Sequence, residues 1–128
     1  MNRQQVYDKV RQHLLKQGAK SVDGFSCVYR SDNGMKCAIG ALIPDWLYDK
    51  LDKEGQAVEG EDVIALLQEP EIQALFDFEP NEDIEDGPMS SLLTSLQSIH
   101  DTYEPHEWDW RLRDVARNHG LEPFNGPR

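Results

Sequence analysis

Apolar residues recur at helical spacing along most of this chain. Val6, Tyr7, Val10 and Leu14 share one face of a segment that opens at Asn2, an N-cap with Gln5 three residues on; Gly18 is placed to end it in the left-handed region. Pro44 suits a first helical turn, so 44–51 reads as a short helix with Trp46, Leu47 and Leu51 inward. Residues 61–68 and 70–78 read as two more short helices, the second started by Pro70. The clearest helix is 88–103, where Met89, Leu92, Leu93, Leu96, Ile99 and Tyr103 form one stripe with the serines largely off it. Glu104-Pro105 breaks it, and 106–120 is the last helix, with Trp108, Leu112, Val115 and His119 on one face and Gly120 as its stop.

One stretch has a different period. Phe25, Cys27 and Tyr29 alternate with Ser26, Val28 and Arg30, and Met35, Cys37 and Ile39 alternate with Lys36, Ala38 and Gly40. Period two on both sides of Asp32-Asn33-Gly34 predicts a β-hairpin. A three-residue loop with Gly34 as bulge pairs Ser31 with Met35 and Tyr29 with Cys37. It gathers the bulky apolar set on one face, whereas a one-residue slip turns that set to water. The predicted fold is therefore α+β, mostly helical: five or six helices around a small antiparallel hairpin at about residues 25–40. The hairpin face is expected to pack on the Leu92/Leu96/Ile99 stripe, the strongest apolar face available. No linker divides the chain, so 1–120 reads as a single compact domain with 121–128 as a C-terminal tail.

Charge changes the picture in one place. The 128 residues carry a net charge of −11, from 13 basic and 24 acidic groups. Residues 1–44 are net +4, residues 45–87 net −13 and residues 88–128 net −2. Such a balance argues against direct nucleic-acid binding, which needs Lys and Arg to displace counterions, and against docking on anionic lipid. No apolar run reaches transmembrane length, and the amphipathic N-terminal segment is unlike a signal peptide. The densest acidic run holds Asp77, Glu79, Glu82, Asp83, Glu85 and Asp86. Read as a calcium loop from Asp77, it has Glu82 where Gly is needed and Pro88 where Glu is needed, so calcium is not expected. The run lies outside every apolar stripe. It reads either as a solvated loop or as an acidic face that pairs with a basic partner surface and steers its association.

The only two cysteines are Cys27 and Cys37. In the predicted register they are diagonal neighbours, roughly 7–8 Å apart at the backbone. That exceeds the usual disulfide limit of about 6.8 Å, so free thiols in a reducing compartment are expected. Burial as small apolar residues is the plain reading. Zinc would need His100 and His106, which straddle Pro105 and share no helical face, and the nine residues between the thiols exceed knuckle spacing. A thiol hydrolase would use Cys27 or Cys37 as nucleophile and His100 as base. Asp101, about 100° round the helix from His100, is a poor orienter for it. His13 and His100 also read as half-buried polar residues bonded to neighbouring backbone, and His119 as a helix-terminal group. No phosphate-cradling glycine loop and no HExxH motif is present, and no cofactor or metal is expected.

The segment from Cys27 to Asp49, CVYRSDNGMKCAIGALIPDWLYD, together with LQSIHD at 96–101 and VARNHGL at 115–121, resembles a family of small uncharacterised bacteriophage and prophage proteins. Its motif is Cys-x-Tyr-Arg…Gly-x-Lys-Cys-Ala-x-Gly-x-Leu-Ile-Pro-Asp. The resemblance covers about half the chain and leaves out the acidic third. It implies a viral protein acting in bacterial cytoplasm, and it carries no catalytic or binding residue with it. Two functions follow as expectations. One is a non-enzymatic inhibitor whose acidic face, Asp77 to Asp86, binds a basic host protein, such as a nucleic-acid-binding defence complex of the CRISPR effector type. The other is a small thiol- or zinc-dependent hydrolase centred on Cys27, Cys37 and His100.

Overall fold

The computed structural model describes residues 1–21, 34–51 and 63–123 in full, and 22–23, 26–27 and 52–53 in backbone alone. Its α-helices are α1 (Arg3–Gln17), α2 (Asp45–Lys53), α3 (Val63–Leu67), α4 (Pro70–Gln73), α5 (Pro88–Thr102) and α6 (Trp108–Asn118), with 3-10 turns at Gly40–Leu42 and Pro105–Glu107.

Local chemistry accounts for the ends of the long helices. The Asn2 side chain accepts from the Gln5 amide at 2.8 Å, and the Gln5 side chain accepts from the Asn2 amide at 2.8 Å. This reciprocal pair satisfies two donors that a helix start leaves open. Gly18, at φ +64°, turns the chain out of α1 and donates to the Leu14 carbonyl at 2.9 Å. In α5, Pro88 fills the first turn, and the Gly87 amide donates to Ser90 Oγ at 3.0 Å.

Three helices build the core. Helix α5 packs on both α1 and α6, and α1 packs on α6. Their inward faces are Val6, Tyr7, Val10 and Leu14 from α1; Met89, Leu92, Leu93, Leu96 and Ile99 from α5; and Trp108, Leu112 and Ala116 from α6, all buried. Tyr7 Oη fixes α1 to α6 by donating to the Leu112 carbonyl at 3.0 Å. Helix α3 packs on α5 and α4 packs on α3, with Leu66, Leu67 and Ile72 buried. The start of the predicted tail is tied down: Leu121 N donates to the Ala116 carbonyl at 2.8 Å, and Glu122 N to Gln4 Oε1 at 2.9 Å. Among the described residues no helix is long and apolar enough to cross a membrane.

The fold is helical, and the α+β expectation is corrected. No hairpin spans 25–40 among the described residues. The strand pairing described is a two-residue one, Val22–Asp23 against Ser26–Cys27, which opposes Cys27 to Val22, and Lys36 is a single β-bridge residue. Phe25, Val28, Tyr29 and the predicted turn at 32–33 lie outside the described residues. Where the second strand was expected, the chain coils. Ala41 N donates to the Cys37 carbonyl at 3.1 Å and Leu42 N to the Ile39 carbonyl at 2.9 Å. The backbone at Lys36 also finds partners on α1. The Gln17 side-chain amide accepts from Lys36 N at 2.9 Å and donates to Lys36 O at 2.8 Å, and His13 Nε2 meets the same carbonyl at 3.0 Å. The physical reason lies in which residues are buried. Cys37, Ala38, Ile39 and Gly40 are all inside, so no face alternates. A second correction concerns α2: Leu47 and Leu51 point inward, but Trp46 is 63% exposed.

Candidate functional site

Two clusters from the sequence can be located, one polar and internal, the other acidic and external. The internal one hangs on α5. Leu93, Gln97 and His100 continue one row at i, i+4 and i+7, so the apolar stripe ends in two buried polar side chains. His100 is fully buried, its ring stacked on Trp108 with centroids 5.7 Å apart. Its Nε2 accepts from the Ser21 amide at 2.8 Å, which leaves the ring proton on Nδ1, donated to Asp101 Oδ1 at 2.7 Å. Asp101 therefore does orient His100, contrary to the angular argument, because Nδ1 lies close to its own backbone and the Asp101 carboxylate bends back to it. The same carboxylate oxygen accepts from Gln97 Nε2 at 2.9 Å, while Gln97 Oε1 accepts from Ile39 N at 3.1 Å.

Cys37 sits at the edge of this network. Its sulfur accepts from the Gly40 amide at 3.2 Å. Desolvation pushes the thiol up to about 12, the Asp101 charge adds to the rise, and the Gly40 amide opposes it. A nucleophilic cysteine needs the opposite arrangement, a partly exposed thiolate beside a cation. The His100 lone pair is occupied by backbone, so it has no free base position to offer a thiol. Cys27 has its backbone described and its side chain outside the description. Among the described residues no group of three or more His, Cys, Asp and Glu side chains could hold a metal ion. Neither Gln97 nor Ser21 was singled out from sequence; the only signal was a glutamine inside an apolar row.

Alkaline pH tests this burial. Tyr7 is also raised, from 10.0 to about 12, chiefly by desolvation, with Arg11 opposing. Both groups hold their proton more tightly folded than unfolded. Their contribution to stability is therefore complete below the ordinary thiol range, near 9.0, and is lost as pH rises towards about 12. The urea midpoint is expected to fall steadily through that window, and Cys37→Ala to flatten part of the fall. A midpoint that stays level through the window would mean that neither group is desolvated as described.

The external cluster is the loop between α4 and α5. Asp77, Glu79, Asp83, Glu85 and Asp86 are exposed, and Glu82 is half-buried. Asp77 lies 3.6 Å from the main-chain nitrogen of Met1; Glu79, Glu82, Asp83, Glu85 and Asp86 form no ion pair with a described residue. The loop is nonetheless fastened. Phe78 and Ile84 pack against the core. Glu82 uses both carboxylate oxygens, Oε1 accepting from Glu79 N at 2.7 Å and Oε2 from Met89 N at 2.8 Å. The second bond places a negative charge on the open amides at the start of α5, where the helix dipole favours it. Gly87 leaves room for this side chain: a Cβ there would lie 2.4 Å from Glu82 Cγ and 2.5 Å from the Asp83 carbonyl oxygen. Asp83 Oδ1 accepts from Glu85 N at 2.8 Å, and Glu85 accepts from Gln68 Nε2 at 3.2 Å.

The six carboxylates thus have different roles. Glu82 and, more weakly, Asp83 hold the loop; Glu79 and Asp86 lend it only charge. Glu82→Ala is expected to cost about 1–2 kcal/mol, as loss of a charged helix cap does. Asp86→Ala should stay within about 0.5 kcal/mol of the parent, as an exposed change does. Urea unfolding of the two variants separates these values; equal losses would mean that Glu82 is no cap. Beside the loop, a recess of about 440 Å³ opens between Arg3 at the start of α1 and Phe78, Glu79 and Glu82.

No family model matches the chain, and no curated protein or solved structure does.

Proposed function

We propose that this protein works by binding: the loop from Asp77 to Asp86 docks on a basic surface of a partner protein and blocks it. The observation that carries this reading is that the loop is ordered by its own carboxylates, most of which have no cationic partner among the described residues. Five of them lack an ion partner among the described residues, while Glu82 and Asp83 tie the backbone beneath them. Negative groups presented on an ordered frame lose little entropy on docking, and their charge speeds encounter with a positive groove. A groove built for nucleic acid is the natural complement, since carboxylates can take the places of phosphates there. The motif's resemblance to bacteriophage and prophage proteins supports a bacterial cytoplasmic setting and a host defence complex, of the CRISPR effector type, as the class of target. The hydrolase alternative finds no support in Cys37 or His100, since one has no accessible thiolate and the other no free lone pair.

The experiment begins with a pull-down from bacterial lysate to identify the partner, followed by binding kinetics on the purified pair. The variant to use is Glu79→Gln, Glu85→Gln, Asp86→Asn, which removes charge and leaves Glu82 and Asp83 to hold the loop. Association is expected to slow by about tenfold or more at low salt. The difference from the parent should shrink as salt shortens the Debye length below about 8 Å. Equal rates for parent and variant at low and high salt would show that the acidic loop is only a solvated surface.

A further inference from the structure

A second recess, of about 390 Å³, lies between α5 and α6, on a surface the acidic loop does not line. Its chemistry is set by residues one turn apart on α6, Arg111 and Asp114, which are neighbours on one helix face. Arg111 is held in an unusual way for a protein so rich in carboxylates. Its guanidinium lies 3.7 Å from the centre of the Tyr103 ring and 3.9 Å from that of Trp110. Two aromatic faces therefore fix the plane of the fork. Among the described residues its Nε is buried without a hydrogen-bond partner, and its carboxylate contact is Glu107 at 3.8 Å, beyond hydrogen-bond range. Asp114 is about half exposed, and among the described residues its ionic contact is a long one, 3.4 Å from Oδ1 to the well-exposed Arg117. Ile99 and Val115 supply apolar lining, and Ser98 a hydroxyl.

We propose that this recess binds a small zwitterion of the α-amino-acid class. The carboxylate is taken by the Arg111 fork, the ammonium by Asp114, and an aliphatic side chain lies against Ile99 and Val115. The pairing of charges decides between ligand classes. A phosphate or other multiply charged anion would meet Asp114 and Glu107 as well as Arg111, and a simple cation would meet Arg111. A ligand with both charges a few ångströms apart satisfies both residues. The volume lies at the lower end of the range for ligand sites, about 300–1,000 Å³, which suits a single residue better than a longer peptide.

The test is a titration with L-leucine, followed by NMR at the Arg111 Nε–H and Trp110 indole N–H signals, alongside N-acetyl-L-leucine and L-leucinamide. Saturable shifts with Kd in the millimolar range or tighter are expected for L-leucine, with each capped form at least about tenfold weaker, since a site built for a charged group rejects the analogue lacking it. Asp114→Asn should bring L-leucine down to the level of N-acetyl-L-leucine and leave the acetylated compound unchanged. Arg111→Lys should weaken L-leucine by a similar factor and leave L-leucinamide unchanged. The ligand comparison on the parent protein stands even if Arg111→Lys fails to fold. No saturation by about 10 mM L-leucine, capped forms bound as well as the parent amino acid, or substitutions that act equally on all three compounds would each overturn the assignment.

Discussion

Trp108→Ala is expected to lower stability by about 3–5 kcal/mol, the range for removing a large buried aromatic. The indole is fully buried where α6 begins, and three separate interactions end with it. Its volume belongs to the buried cluster to which α1, α5 and α6 contribute, so its removal leaves a cavity. Its Nε1 donates to the Tyr103 carbonyl at 3.0 Å, the residue that ends α5, so truncation leaves that carbonyl without its donor. Its ring stacks on His100, which is itself bonded to Ser21 and Asp101. Trp108→Phe distinguishes these parts, since it keeps most of the volume and the stack but not the N–H. Urea unfolding should place Trp108→Phe well above Trp108→Ala. A loss below about 0.5 kcal/mol for Trp108→Ala would be that of a surface residue and would displace the indole from the core.

The long helices were legible in the sequence because their signals are local and agree with one another. Asn2, Gln5 and Gly18 bracket a stripe of period 3.6, and Pro88 opens another. The misreading at 35–40 had a specific origin. Alternation was inferred by treating Ala38 and Gly40 as an outward face, yet both are buried. Small residues satisfy either period, so Met35, Cys37 and Ile39 alone could not choose between a strand and a coil. What decided it was tertiary: Gln17 offers both a donor and an acceptor to Lys36, and Gln97 offers an acceptor to Ile39. Neither partnership is visible at the level of sequence, because its members stand 19 and 58 positions apart. Trp46 was misplaced for a related reason. In a nine-residue helix the inward face is narrow, and Leu47 and Leu51, four apart, already fill it. For the acidic run, composition located the charge. It could not tell Glu82, which caps α5, from Glu79, which only lends charge, since that depends on where Gly87 lets the chain pass.

Leu96→Ala is expected to cost about 2–5 kcal/mol, as for other leucines removed from packed interiors. The sequence made Leu96 the centre of a face meeting a hairpin, and the structure keeps it central for a different reason. Leu96 is fully buried on α5, the helix that meets α1, α6 and α3. One side of α5 near it is polar: Gln97 holds Ile39 and Asp101 at fixed hydrogen-bond distances. The backbone that Gln97 binds cannot move into a space left at Leu96 without breaking those bonds, so little collapse is available and the upper half of the range applies. Gln97→Leu tests that reasoning. It removes the acceptor for the Ile39 amide and should cost about 1–3 kcal/mol alone, through an unsatisfied buried donor. Combined with Leu96→Ala it should cost less than the sum, because the freed segment can then settle into the cavity, and residues sharing a cavity are coupled. Urea unfolding of the two single variants and the double variant reads this directly. Strict additivity would mean that Gln97 does not limit relaxation around Leu96, and a loss of less than about 0.5 kcal/mol for Leu96→Ala would remove it from the interior.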